Sequence, residues 1–178
     1  MIKKRTTILF PVYTSIFIFL VIFTTIPNEY KESTREINFV KTIDVDRISL
    51  FELMADIENY SKIFPDNISS IIVQSKDKNK ITTIESVQEA GISTSFTVEH
   101  KISLYSEHSL KILDGDAKDT EIIISFAGNE THTTITVKMI LHVKGILTPF
   151  AYLPSSNYES AFNTVLDGFV EYLNENKK

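Results

Sequence analysis

The chain has 178 residues, no cysteine and a formal net charge of −5. Residues 1–30 hold three basic side chains and one acidic one, so they carry +2 and the rest of the chain carries −7. An acidic domain without a basic stripe argues against a nucleic-acid partner. A chain without cysteine cannot rely on disulfides, and the roughly 150 residues after position 30 are enough for one ordinary domain with a sizeable core.

The first predicted element is an apolar segment from Thr6 to Ile26 that contains no charged side chain. A helix of this length would be roughly 32 Å long, which matches the hydrocarbon core of a bilayer. The segment therefore predicts a transmembrane anchor at residues 1–27, with residues 6–26 in the bilayer. Two alternatives stay open, a cleaved signal peptide and a buried helix of a soluble protein. The sequence Thr24-Thr25-Ile26-Pro27 lacks the small residues that favour signal-peptide cleavage.

The charges on either side of this segment predict its orientation. Lys3-Lys4-Arg5 precedes it, whereas Lys31 and Arg35 after it are interleaved with glutamates. The positive-inside rule therefore favours a cytoplasmic N-terminus. We expect a single-pass cell-membrane protein with an extracytoplasmic domain at residues 36–178, joined to the anchor by a charged linker at residues 28–35.

The domain begins with a predicted strand and two short helices. Residues 36–46 alternate between apolar and polar side chains, which is typical of a β-strand. Ser49-Leu50-Phe51-Glu52 has the pattern of a capping box and predicts a helix that starts there. A second short helix is predicted at about residues 59–64, before Pro65.

Six further strands are predicted, and the turns between them contain Gly, Asp or Asn. An apolar loop with two prolines follows at residues 146–154, and Ser156-Asn157-Tyr158-Glu159 is a second capping box that opens the last helix. The strands are expected at about residues 70–76, 79–89, 93–105, 108–114, 119–128 and 132–145. The last helix has a broad apolar stripe of Tyr158, Phe162, Val165, Leu166, Phe169, Val170 and Leu173, as expected of a helix that lies across a sheet.

This order of elements resembles the helix-grip fold of the START-like superfamily, also called SRPBCC, which includes the polyketide cyclase/dehydrase group and the coenzyme Q-binding proteins. The most specific similarity is the segment from Ser49 to Pro65, where an apolar helix leads into Asp56, Tyr60 and the proline. Leu110–Gly115 also resembles the middle hairpin of the family. The resemblance implies an α+β fold in which a seven-stranded, curved antiparallel sheet wraps around the long C-terminal helix. It also implies an elongated apolar cavity between the sheet and that helix.

Residues that face this cavity should come from the alternating faces of the two longest strands and from the helix stripe. His100 stands out, because it is a polar residue between Val98 and Ile102 on an apolar face. It is either a core histidine bonded to a neighbour or a ligand anchor or acid–base group. The predicted ligand-binding residues are Phe96, Val98, His100, Val137, Met139, Leu141, Phe162, Leu166 and Phe169.

The other histidines give weaker signals. His108 and His132 are expected at turns, and His142 is expected to face solvent. Because no cysteine is present and no two histidines have helix-ligand spacing, we expect neither a metal site nor a cofactor. The sequence also contains no Gly-rich phosphate loop or nucleophile elbow, and no catalytic residues are assigned.

Three hypotheses for function follow. The first is a membrane-tethered module that binds an apolar small molecule, such as a lipid or an isoprenoid or quinone-like compound, in an internal cavity. The second is a cyclase-type enzyme that uses His100 as its acid–base group. The third is a protein-interaction module whose cavity is vestigial. An apolar cavity with one or two polar groups would favour the first, and convergent titratable groups would favour the second.

Overall fold

A single seven-stranded antiparallel sheet is the framework of the domain. The computed structural model describes residues 32–89 and 92–176. The strands are ordered β1-β7-β6-β5-β4-β3-β2, so the first and last strands in the sequence pair with each other. Their bounds are β1 Glu32–Ile43, β2 Ile68–Asp77, β3 Lys80–Glu89, β4 Ile92–Ser103, β5 Glu107–Ile112, β6 Glu121–Gly128 and β7 Thr133–Lys144.

Two short helices connect β1 to β2. Helix α1 spans Arg47–Ala55, a 3₁₀ turn spans Ile57–Asn59, and α2 spans Tyr60–Ile63. The capping box predicted at Ser49 is wrong. Asp46 is the N-cap, and its carboxylate accepts bonds from the backbone N–H of Ser49 at 2.7 Å and from its hydroxyl at 2.6 Å. An aspartate three residues earlier therefore occupies the capping position that the Ser-x-x-Glu pattern suggested for Ser49.

The segment between the sheet and the last helix is more ordered than expected. The predicted loop at residues 146–154 is largely a 3₁₀ segment, Gly145–Tyr152, hereafter the aromatic 3₁₀ segment. Helix α3 then spans Ser155–Asn176 and starts one residue before the predicted cap. Its apolar stripe is confirmed except at Val165, which is 42% exposed.

Several predicted strand bounds were wrong by two to four residues, and the backbone explains two of them. β4 ends at Ser103, because Tyr105 has a φ of +59° and the N–H of Ser106 bonds back to the Ser103 carbonyl. β6 begins at Glu121, because Asp119 has a φ of +70°. Left-handed residues of this kind end the regular pairing of a ladder. β1 begins four residues earlier than predicted, so residues 32–35 of the expected linker are part of the sheet.

The inner face of the sheet packs on the helices in two separate clusters. The main cluster joins α1 and α3 to β6 and β7, through buried residues such as Leu50, Ile124, Val137, Leu166 and Phe169. The second cluster lies at the start of α3 and consists of Leu141, Val143 and Ala151, with Met139, Leu147 and Tyr158 packed against it. The sheet and its C-terminal helix thus form the helix-grip arrangement that the resemblance implied.

The predicted anchor at residues 1–27 lies outside the described residues. Within residues 32–89 and 92–176, none of the helices is both long enough and apolar enough to cross a bilayer.

Candidate ligand-binding site

The inner face of the sheet is covered unevenly. Strand register places Phe96 opposite Glu85, Val98 opposite Ile112 and His100 opposite Leu110, so these side chains share the face that carries Ile124 and Val137. Phe96, Leu110 and Ile112 are only half-buried and belong to neither apolar cluster. Half-buried apolar residues on a concave face, beside a covered core, are what an apolar ligand site requires.

The nine predicted ligand-binding residues fall into four environments. Val137, Leu166 and Phe169 are almost fully buried in the main cluster, and His100 and Val98 are buried on β4. Met139 and Leu141 belong to the second cluster. Phe96 and Phe162 are half-buried, and Phe162 packs edge-to-face on Phe39 with ring centroids 5.3 Å apart. Which of these residues contact a ligand stays a prediction.

His100 points inward, as its place on the alternating face predicted, and it is fully buried. Its Nε2 lies 2.7 Å from Oε1 of Glu85 and 3.2 Å from the hydroxyl of Thr83. Its Nδ1 lies 3.1 Å from Nε2 of His108. Glu85, His100 and His108 therefore form a hydrogen-bonded chain across β3, β4 and β5, hereafter the buried triad.

The expectation that His108 lies at a turn is wrong. It is the second residue of β5, is 1% exposed, and pairs with Ile124 across the sheet. Burial, and to a smaller extent the nearby His100, lower the pKa of His108 to about 4. The Met54 carbonyl at the end of α1 has the opposite, smaller effect on that pKa. Nδ1 of His108 nevertheless has no hydrogen-bond partner among the described residues.

The triad has a definite direction of hydrogen bonding. When Glu85 is ionised, Nε2–H of His100 donates to it, so Nδ1 of a neutral His100 is an acceptor. Nε2–H of His108 then donates to that acceptor, which leaves Nδ1 of His108 as an unpaired, buried lone pair. The chain therefore links the Glu85 carboxylate to the imidazole of His108 through two hydrogen bonds.

Tyr60, the first residue of α2, closes this region from the helix side. Its hydroxyl donates to the Met54 carbonyl, and its ring packs edge-to-face on Phe169 at 5.4 Å. Burial raises the pKa of Tyr60, and the negative charges of Glu85 and Asp56 raise it further. The phenol is therefore a neutral hydrogen-bond donor next to the triad at physiological pH.

Sequence reasoning missed Glu85, His108 and Thr83, although a signal existed for one of them. His108 alternates with Leu110 and Ile112, which indicates an inward position once β5 is started at Glu107. For Glu85 and Thr83 the pattern was ambiguous, because β3 has Ile81 on one face and Ile84 on the other. Period two alone cannot choose the inner face of such a strand.

Arg35 of β1 fastens the aromatic 3₁₀ segment to the sheet edge. Its guanidinium donates to the carbonyls of Ala151, at 3.1 Å, and Leu153, and to the hydroxyl of Ser155 at 2.7 Å. Three bonds from one guanidinium, two of them to backbone carbonyls, fix the end of the segment next to the beginning of β1. The segment exposes Phe150 by 47% and Tyr152 by 66%.

Two other kinds of site receive less support. Within the described residues, no group of three or more histidine or carboxylate side chains is arranged to hold a metal ion. An open groove of about 550 Å³ lies beside the C-terminal half of α3 and is lined by Asp167, Val170, Glu171, Asn174 and Glu175. Its lining is mainly acidic and polar, so the inner face of the sheet is the better candidate for an apolar ligand.

Comparison with known proteins agrees with this geometry. Residues 43–170, more than half of the chain, match the sequence model of the family described as polyketide cyclase / dehydrase and lipid transport. The chain belongs to this family. No curated protein sequence matches it significantly.

Several solved structures share the fold of this chain. The Zhui aromatase/cyclase from Streptomyces sp. R1128 has a TM-score of 0.66 and 13% identity, over 82% of this chain and 97% of its own. Norcoclaurine synthase from Thalictrum flavum, in complex with dopamine and hydroxybenzaldehyde, has a TM-score of 0.63 and 8% identity, over 85% and 92%. A START superfamily protein from Mycobacterium smegmatis has a TM-score of 0.56 and 14% identity, over 78% and 93%. At these identities the likeness establishes the fold alone.

Proposed function

We propose that the protein is a membrane-tethered module that binds an apolar ligand, a lipid or an isoprenoid or quinone-like molecule, between the inner face of the sheet and α3. The observation that carries the proposal is the half-buried apolar surface of Phe96, Leu110 and Ile112, which lies outside both clusters. Phe162 and Met139 are also half-buried and pack at the edges of the main and second clusters, respectively. Family membership supports the same assignment.

Binding is favoured over cyclase-type catalysis by the burial of the histidines. His100 and His108 are 0% and 1% exposed, so neither imidazole is placed to touch a bound molecule. A general acid or base must reach its substrate within hydrogen-bond distance or through one water. Glu85 differs from the two histidines, because 14% of its side chain is accessible to solvent.

The aromatic 3₁₀ segment is the proposed entrance for the ligand. Residue 26, where the predicted span ends, is six residues before the start of β1, and Arg35 holds the segment beside that strand. Phe150 and Tyr152 would then lie close to the bilayer, where aromatic side chains are favoured. A lipid could pass from the membrane to the sheet with little exposure to water.

The binding proposal is tested by identifying lipids that co-purify with the full chain. The protein is purified in mild detergent and extracted for mass spectrometry, together with Phe162→Trp and Val165→Trp. Trp at position 162 should fill space next to the apolar surface and lower the lipid occupancy several-fold, whereas Trp at the exposed position 165 should not. His100→Phe adds a second test of the same site. Equal occupancy in all four proteins, or no co-purifying lipid, would favour a protein-interaction module instead.

The proposed topology is tested separately. Protease added to intact cells should degrade the domain, because Lys3-Lys4-Arg5 favours a cytoplasmic N-terminus. Full protection until the cells are lysed would reverse the orientation without affecting the binding proposal.

A further inference from the structure

The Glu85 carboxylate has one oxygen engaged and one oxygen available. Oε1 accepts from the Thr83 hydroxyl at 2.8 Å and lies 2.7 Å from Nε2 of His100. Among the described residues, all hydrogen bonds to this carboxylate go to Oε1. Glu85 lies directly opposite the half-buried Phe96 on the inner face, so the two side chains are neighbours. The accessible end of the buried triad therefore borders the apolar surface of the proposed site.

The free oxygen of this carboxylate suits a ligand group that donates a hydrogen bond. The Thr83 hydroxyl and Nε2 of His100 hold Oε1, so Oε2 is the acceptor that a ligand can reach. The Tyr60 hydroxyl is not available to a ligand, because it donates to the Met54 carbonyl. A ligand carboxylate would meet Glu85 as a like charge, inside a region of the chain that is acidic overall.

We infer that Glu85 is the polar anchor of the site and that it selects apolar ligands that carry a neutral hydroxyl group, over hydrocarbons and over acids. The inference rests on the proposed binding function. The ligand hydroxyl donates to Oε2 of Glu85, while the ring or chain of the ligand lies on Phe96 and its apolar neighbours. His100 and His108 are positioning residues, which hold the carboxylate in place without touching the ligand.

Three probes that share the naphthalene ring system and differ in their polar group test this assignment: naphthalene, 2-naphthol and 2-naphthoate. Binding is measured by equilibrium dialysis to the full chain in phosphatidylcholine nanodiscs, with empty nanodiscs as the blank. 2-Naphthol should bind about tenfold more tightly than naphthalene, because a buried, charged acceptor discriminates strongly for a hydroxyl. 2-Naphthoate should bind more weakly than 2-naphthol.

The variant Glu85→Gln removes the charge and keeps the shape of the side chain. It should reduce the preference for 2-naphthol over naphthalene to about twofold, improve binding of 2-naphthoate, and leave naphthalene unchanged. Glu99→Gln is the matched control, because Glu99 lies on the opposite face of β4 and pairs with Lys80 and Lys101. It should behave as the unmodified protein does.

The outcomes separate the inference from the proposed function. Equal binding of naphthalene and 2-naphthol to the unmodified protein, or an equal effect of both variants, would overturn the role of Glu85 while leaving a binding module. Failure of all three probes to bind above the blank would overturn both.

Discussion

Acid should destabilise the protein through the buried triad. His108 has a pKa of about 4 in the folded state, because burial disfavours the charged imidazole, and an ordinary value near 6.5 when unfolded. The folded state therefore binds fewer protons than the unfolded state between these two values. The stability due to neutral His108 is fully present above about pH 6.5 and is lost as the pH falls towards about 4. The difference corresponds to about 3 kcal/mol.

Burial sets the sign of this effect, and the groups that face His108 modify it. His100, 3.1 Å away, acts on the pKa of His108 in the same direction as burial, whereas the Met54 carbonyl and the more distant Glu85 act in the opposite direction. The Tyr60 hydroxyl, with its raised pKa, stays neutral throughout this pH range and cannot compensate. Carboxylates with a lowered pKa, such as Glu99 and Asp114, also lose stability in acid, so the effect of His108 is measured as a difference between the unmodified protein and a His108 variant.

The assay is urea unfolding of the full chain near pH 7 and near pH 4.5, followed by far-UV circular dichroism. His108→Gln keeps an amide that can bond to His100 but cannot take up a proton. The unmodified protein should lose about 2–3 kcal/mol more than this variant between the two pH values. His132→Gln is the control, because His132 is exposed in the turn before β7. Equal pH dependence of the unmodified protein and His108→Gln would refute the reasoning.

Three further predictions concern packing and backbone geometry. Phe169→Ala should lower the free energy of unfolding by roughly 3–5 kcal/mol, because the ring is buried and makes two edge-to-face aromatic contacts. In the same urea-unfolding assay, Val165→Ala on the exposed side of α3 should cost under about 1 kcal/mol. A loss below about 1 kcal/mol at Phe169 would mean that α3 is not packed as described. Gly128→Ala should lower the melting temperature markedly, because Gly128 has a φ of +131° and a Cβ there would collide with the backbone carbonyl of His132; an unchanged melting temperature would contradict this. Arg35→Ala should speed amide hydrogen exchange in the aromatic 3₁₀ segment while leaving β3 and β4 unchanged, and equal exchange in both proteins would show that the guanidinium does not hold the segment.

The packing of α3 illustrates what local patterns predict well. The 3.6-residue spacing of Leu166 and Phe169 identified their burial, because a helix must turn its apolar side towards the core. Alternation likewise placed His100 inward on β4. The prediction that Val165 is buried was wrong, because Val165 lies at the edge of the apolar stripe, where the width of the sheet against the helix decides whether a side chain is covered.

The buried triad illustrates what local patterns miss. Glu85 and His108 are 23 residues apart in the sequence and come together only through the register of β3, β4 and β5. Nothing in either strand alone specifies which residue of a neighbouring strand lies opposite. Sequence reasoning missed both residues, because the alternation of β3 is ambiguous and β5 was predicted to begin one residue too late.

The sequence by itself determined the order of the elements, the inward face of the long strands and the apolar side of α3. It could do so because periodicity and turn chemistry act over a few residues. Only the tertiary structure decided that Asp46 caps α1, that Arg35 binds the aromatic 3₁₀ segment, and that a carboxylate and two histidines share one hydrogen-bonded chain. The capping contact depends on competition between neighbouring side chains, and the other two join residues that are distant in the chain, so strand register and the packing of the loops determine them.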